Sequence, residues 1–352
     1  MNFSFGEYKT NVYITHELPK LSDITADFNN ALIIADENTR EIAKKICDKT
    51  EIAFCELKSG EENKNWQSVQ TILNKAHNEN LGRDCIFIAV GGGVIGDIAG
   101  FAASIYKRGC RFALVSTTLL GMVDASVGGK TGFDLFEIKN LAGTFYPALS
   151  VYMPLDALST LPKKEFKSGL AELIKTAVLA GDDLLNDVKK MSNDTSYDLL
   201  RSCIEKAVMY KGSIVSEDPK ETTGKRMLLN LGHTFGHALE SACGLGSITH
   251  GEAVAWGMVR ACELGTKMSI TPGLRAKEIK DTIASFGYNY ECPHPLAANA
   301  DVLINTMKSD KKKKDGKITF IVPDAHSACP VTIDFENELN TIHSILKGGF
   351  NL

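Results

Sequence analysis

At 352 residues, with 44% hydrophobic and 23% charged side chains and a net charge of −4, the chain reads as two globular domains or one large one. The mildly acidic balance excludes the basic field of a nucleic-acid binder. No apolar run approaches the roughly 18 residues of a membrane span, and the start Met1-Asn2-Phe3-Ser4-Phe5 lacks the basic and apolar regions of a signal peptide.

Residues 1–161 alternate strand and helix patterns. Strands are predicted at 11–15, at the compact apolar run 31–35 that ends in Asp36, and at 52–57, 85–90 and 111–116; helices are predicted at 41–49 and 66–78. Alternation of this kind implies a parallel, doubly wound sheet. From residue 162 the pattern changes to long helices at 163–179, 183–191, 197–215, 227–243, 251–268 and 274–286, with one further strand at 318–322. A boundary near Leu161-Pro162 therefore divides an α/β domain, 1–161, from a mostly helical one, 162–352. Nine cysteines are scattered with no Cys-x-x-Cys pair, which predicts reduced thiols in a cytoplasmic protein.

Gly91-x-Gly93-x-x-Gly96 follows a predicted strand and opens a helix, the arrangement that lets backbone approach a pyrophosphate at a helix N-terminus. The acidic residue expected about 20 positions on is missing, since that stretch reads Phe112-Ala113-Leu114-Val115-Ser116; Asp36, ending an earlier strand, is the alternative ribose partner. A tight-packing glycine turn is the competing reading.

Three of the eight histidines, His233, His237 and His250, fall within eighteen residues. His233 and His237 are four apart, hence on one helix face, and neutral imidazoles clustered in this way read first as a metal site. Spacing does not say which of them bind. Thr234 occupies the position of a zincin's general-base glutamate, which excludes that class. The cations Lys130, Lys139, Lys175 (three residues after Glu172) and Arg226 each read singly as solvated surface charges; together they point to a small polyanionic substrate. The run Lys311-Lys312-Lys313-Lys314 reads as a solvated loop, since no aromatics interleave it.

Taken in order, the segments Gly91-Gly92-Gly93-Val94-Ile95-Gly96-Asp97, Thr117-Thr118-Leu119-Leu120, Val123-Asp124-Ala125-Ser126-Val127-Gly128-Gly129-Lys130-Thr131, Lys139-Asn140, Gly169-Leu170-Ala171-Glu172, Asn230-Leu231-Gly232-His233-Thr234-Phe235-Gly236-His237 and His250-Gly251-Glu252-Ala253 resemble the 3-dehydroquinate synthases, a sugar phosphate cyclase family. The resemblance runs from Asp36 to Lys312. It implies a Rossmann-like NAD-binding domain followed by a helical metal- and substrate-binding domain, with NAD and Zn2+ or Co2+ as cofactors, a phosphorylated keto acid as substrate, and a homodimer as the working form.

By that resemblance Glu172, His233 and His250 are the metal ligands, and His237 faces substrate instead. The resemblance assigns Asp36, Asn38, Glu61, Lys64, Gly92, Gly93, Val94, Gly96, Asp97, Thr117, Thr118, Ala157, Thr160 and Leu161 to NAD, with Lys130 and Lys139 beside them. It gives catalytic roles to His237, Lys175, Asp124, Lys130, Asn230, Arg226 and Glu221. Lys139, Asn140, Lys211 and one of Lys311 and Lys312 are assigned to substrate, and Arg108 to the neighbouring subunit's site. Two departures stand out: Ser116 replaces the family's usual proline, and the stretch 217–226 is one residue longer than the common spacing.

Overall fold

The computed structural model describes residues 1–28, 30–47, 52–136, 138–192, 195–244, 246–311 and 317–347. The chain forms two compact units: Met1–Gly169 with Lys211–Lys220, and Leu170–Tyr210 with Glu221–Leu352.

In the first unit the order is β1 (Asn2–Phe5), β2 (Tyr8–Thr15), α1 (Leu21–Thr25), β3 (Ala31–Asp36), α2 (Arg40–Cys47), β4 (Ala53–Leu57), α3 (Trp66–Asn78), β5 (Ile86–Gly91), α4 (Gly93–Ile105), β6 (Arg111–Ser116), β7 (Lys130–Leu135), β8 (Ile138–Phe145) and β9 (Ser150–Pro154). Seven strands make one sheet in the order β1-β2-β9-β6-β5-β3-β4. Every pairing in it is parallel except that of the edge strand β1 with β2.

The central strands are apolar end to end because both faces are covered. All six residues of β5 are buried, and Ile33, Ile86, Ile88, Val90 and Val115 share a core with Ala43 and Ile46 of α2. Burial of each such side chain contributes about 1.5–3 kcal/mol. From β3 the chain runs outward to β4 and returns on the other side as β5. The direction of winding therefore reverses between β3 and β5, and crevices beyond the carboxyl ends of strands at such a point are where α/β sheets bind ligands.

The second unit holds most of α5 (Lys163–Ala180) and α7 (Tyr197–Glu217), together with α6 (Asp182–Lys189), α8 (His233–Cys243), α9 (His250–Lys267), α10 (Gly273–Ser285), α11 (Ala300–Lys311), the antiparallel pair β10 (Lys317–Pro323) and β11 (Ala328–Asp334), and α12 (Leu339–Leu346). Its core joins Phe235, Leu239, Trp256, Leu264, Leu303, Phe320, Phe335 and Ile342.

The structure corrects the sequence reading at several elements, adding helices α1, α11 and α12 to those predicted. The helix expected at 227–243 is broken: a 3-10 helix at Lys225–Asn230 ends before Gly232, whose φ of 78° interrupts the helical path, and α8 starts afresh at His233. A hairpin absent from the predicted elements follows residue 129: a π turn at Gly121–Ala125 leads to β7, which pairs antiparallel with β8. Strands β1, β9 and β11 were not expected. β9 is five residues long and fully buried, too short to show a period.

Candidate active site

Glu172, His233 and His250 come from three different helices of the second unit, and one ligating atom of each lies within 4.8 Å of the others'. Glu172 sits in mid-α5 and is fully buried. His233 opens α8 and His250 opens α9, so both rings project from first turns.

Glycines bring these turns together. A Cβ on Gly257 would lie 2.1 Å from the carbonyl oxygen of Gly232, and one on Gly232 would lie 2.8 Å from the backbone nitrogen of Met258. α8 and α9 thus meet backbone to backbone, and only residues without side chains allow it. A capping box then fixes the start of α9: Thr249 N donates to Glu252 Oε2 at 3.0 Å, and Glu252 N donates to Thr249 Oγ1 at 3.2 Å.

The ring orientations follow from hydrogen bonding. His233 Nδ1 faces the carbonyl of Leu231 at 3.2 Å, and His250 Nδ1 faces Glu240 Oε2 at 3.1 Å. Both partners only accept, so Nδ1 carries the proton in each ring. The two Nε2 atoms turn to Glu172 Oε1, at 3.6 Å for His233 and 3.3 Å for His250. Burial, helped by Lys175, pushes the His233 pKa down to about 3 and keeps that ring neutral. Burial acts in the same direction on His250, but its contacts with Glu172 and Glu240 outweigh it and push the pKa up to about 10.

Two imidazole nitrogens and a buried carboxylate, each backed by a further polar group, form a donor set that fits a divalent cation such as zinc or cobalt. The i, i+4 spacing puts His233 and His237 on one helix face without saying which of them binds an ion. In the structure His237 is exposed and groups with Glu240 and His250. Sequence reasoning missed Glu240, although positions 233, 237 and 240 form an i, i+4, i+7 stripe on α8.

Two of the cations read singly as surface charges, Lys175 and Arg226, are buried instead, and so is Lys211 of the substrate set. Lys175 is 1% exposed and pairs with Glu172, Lys211 is 6% exposed, and Arg226 is 4% exposed with Nε 3.5 Å from Glu221 Oε1. Asn230 ends the 3-10 helix and is exposed. Lys311 closes α11, and Lys312 lies outside the described residues.

The glycine loop of the first unit lies at the carboxyl end of β5, beside Asp36 at the end of β3. Thr39 Oγ1 ties the two, bonding both Asp36 Oδ1 and the Val90 carbonyl at 2.8 Å. Asp36 Oδ1 also accepts from the backbone N–H of Asn38 and Thr39. Gly92 caps α4, and a Cβ there would lie 2.9 Å from Thr118 Cγ2. Gly92, Gly93, Gly96, Asp97, Lys130 and Thr131 line one cavity. Val94 follows in the first turn of α4, and Thr117 N donates to the Gly91 carbonyl at 3.0 Å.

Lys64, buried at the end of the 3-10 turn Glu61–Asn63, reaches Asp97 Oδ2 at 2.7 Å and Asn140 Oδ1 at 2.6 Å. Burial pushes the Asp97 carboxyl up against the pull of Lys64. Burial alone would lower the Lys64 pKa, but Asp97 and Glu61 outweigh it and hold it up. Lys211 Nζ contacts Asp124 Oδ1 at 2.5 Å and donates to its carbonyl at 2.6 Å. Ala157 and Thr160 lie in the 3-10 helix Leu155–Thr160, which Leu161 caps. Lys139 is exposed, as is Arg108, which adopts a φ of 65°.

Comparison with known proteins agrees with this arrangement. Residues 54–168 match the family model for the 3-dehydroquinate synthase N-terminal domain, and residues 169–313 match that for the C-terminal domain. The 3-dehydroquinate synthase of Dictyoglomus thermophilum is 37% identical over 322 residues, covering 90% of this chain and 89% of that protein. A 2-deoxy-scyllo-inosose synthase solved with carbaglucose-6-phosphate, NAD+ and Co2+ is 25% identical and superposes with a TM-score of 0.84, over 99% of both chains. The 2-epi-5-epi-valiolone synthase of Streptomyces hygroscopicus subsp. jinggangensis, solved with NAD+ and Zn2+, shares the fold at 23% identity, with a TM-score of 0.83 over 97% of this chain and 98% of that one. With the two family models covering residues 54–313 between them and a relative 37% identical over 90% of the chain, the chain belongs to the 3-dehydroquinate synthase family of sugar phosphate cyclases.

Proposed function

We propose that this protein is a 3-dehydroquinate synthase, converting 3-deoxy-D-arabino-heptulosonate 7-phosphate to 3-dehydroquinate and inorganic phosphate. The observation that carries the reading is the convergence of Glu172, His233 and His250 beside a buried lysine, Lys175, in a chain of this family. Glu172, His233 and His250 would hold a divalent metal, and the glycine loop with Asp36, Lys64, Asp97, Thr117 and Thr118 would hold NAD. When bound, the nicotinamide supplies a reversible hydride acceptor and the metal a Lewis acid for a ring hydroxyl.

The protein's own groups do the rest. Three ligands leave coordination positions open for substrate oxygens. Lys175 is held by Glu172 and Arg226 by Glu221, so each presents a positive charge in a fixed place to a substrate bearing about three negative ones, and charge-assisted hydrogen bonds are the strong kind. Lys211 is aimed in the same way by Asp124. Groups fixed in advance need no reorganisation when charge develops on the substrate as phosphate leaves. His237, exposed on α8, would carry a proton to or from the substrate.

The nine free cysteines fit a reducing cytoplasm, and no helix among the described residues is long and apolar enough to cross a membrane. A homodimer is supported by the β7–β8 hairpin, where Phe136 (79% exposed), Ile138, Leu141 and Phe145 present apolar side chains outward. Sedimentation at micromolar protein is expected to show a dimer that Phe136→Ser with Leu141→Ser dissociates; a monomeric wild type sinks that part.

The reaction is tested by mixing metal-loaded protein with NAD and the heptulosonate phosphate while following phosphate and absorbance at 340 nm. Phosphate release with no net NADH is expected. Accumulating NADH would mean a dehydrogenase, and phosphate from a hexose 6-phosphate alone would mean a cyclase of another sugar.

A further inference from the structure

We propose that Glu240 is a positioning residue of the metal centre, setting the direction in which His250 presents its Nε2 lone pair. The inference rests on the reading of Glu172, His233 and His250 as metal ligands and extends it to a residue outside that set.

The two histidines are oriented by different means. His233 is held by the carbonyl of Leu231, a backbone group that the Gly232 turn places and that no side-chain change removes. His250 is the first residue of α9, and its Nδ1 is held by the Glu240 carboxylate at 3.1 Å. Glu240 belongs to α8, so this bond runs from one helix to the other across the glycine contact described above. A carboxylate at that distance accepts the Nδ1 proton, so that Nε2 is the nitrogen left to give up its proton to a metal, and it turns the ring so that Nε2 lies 3.3 Å from Glu172 Oε1. The Glu240 side chain is only 12% exposed, so water competes weakly for the bond. His237, Glu240 and His250 also place one ligating atom each within 4.8 Å, the geometry of a second cation site. The bonding favours the positioning role, because the Glu240 carboxylate is aimed at the ring nitrogen opposite the one facing Glu172.

The test is metal binding itself. Zinc affinity is measured by competition with a chromophoric chelator, and the visible bands of the cobalt-loaded protein are recorded, for wild type, His233→Ala, Glu240→Ala and Glu240→Gln. We expect one metal per chain. We expect binding about 10–100-fold weaker with altered cobalt bands in Glu240→Ala, and a smaller loss in Glu240→Gln, whose amide oxygen still accepts from Nδ1. Should Glu240→Ala fail to fold, Glu240→Gln decides alone: weakened binding with shifted bands supports the role, and wild-type affinity and bands overturn it. Wild-type affinity and bands in Glu240→Ala also overturn it. So does a second zinc per chain lost in Glu240→Ala while the first keeps its affinity. A wild type that binds no zinc, or binds it equally well in His233→Ala, sinks the metal reading instead, so the two failures are distinguishable.

Discussion

The histidine cluster and the glycine loop are both polar sites at helix starts, yet they are built by opposite means. The cluster rests on steric contact: α8 and α9 touch through Gly232 and Gly257, and the rings are aimed by a carbonyl and a carboxylate. The loop site rests on charge: Lys64 bridges Asp97 and Asn140, and Lys211 holds Asp124. A backbone contact of this kind has no room for a methyl group. Ion pairs respond to charge and salt.

The largest expected effect breaks the steric side. Gly257→Ala must displace the carbonyl of Gly232, which should cost about 1–3 kcal/mol of stability or more and lower zinc affinity roughly tenfold, as loss of a group that orients a metal ligand does. Urea unfolding and chelator competition measure the two. An unperturbed variant would show that the helices separate freely and that the glycines are incidental.

On the charged side, Lys64→Met keeps the length of the side chain and removes the bridge to Asp97 and Asn140. NAD affinity, read by fluorescence titration, should fall about tenfold, the effect of roughly 1.4 kcal/mol, with zinc affinity unchanged. A loss of zinc affinity instead would mean that the two sites are not built independently.

A third effect, spread over two pH units, concerns a buried charge that belongs to neither site. Glu263, 5% exposed and 3.3 Å from Arg260, has its pKa pushed by burial up to about 7, against the opposing pull of Arg260. The folded protein therefore holds this proton where the unfolded chain has released it. Its contribution to stability is complete below about pH 4.5, declines as pH rises toward 7, and is lost above that. Between pH 5 and 7 the unfolding free energy should carry a downward slope of at most about 1.4 kcal/mol per pH unit from this group. Urea unfolding of Glu263→Gln across that range should show the slope flattened; an unchanged slope assigns it elsewhere.

Much of this fold was legible in the residues. The apolar run ending at Asp36, the stretch 66–78 and the stretch 111–116 gave their elements directly, because both faces of a central strand, or one stripe of a helix, must be apolar to be buried. Gly91-Gly92-Gly93 after a strand marked the turn into α4 for a similarly local reason. The hairpin β7–β8 escaped notice since the residues of β8 are mostly exposed, leaving no alternation to read.

The amino-acid sequence by itself determined the alternating first unit, the helical second one, and the residue types a metal and a polyanion require. Tertiary structure alone decided which of them meet. His233 has His237 as its nearest histidine in sequence, but its Nε2 turns to Glu172 on α5, and Glu172 meets His250 on α9. Two cations that read as solvated are buried against acids, Lys175 against Glu172 and Arg226 against Glu221. The reason is physical: a periodic pattern reports only how an element faces its surroundings, whereas a site depends on which distant backbones can approach, and here two glycines 25 positions apart set that distance.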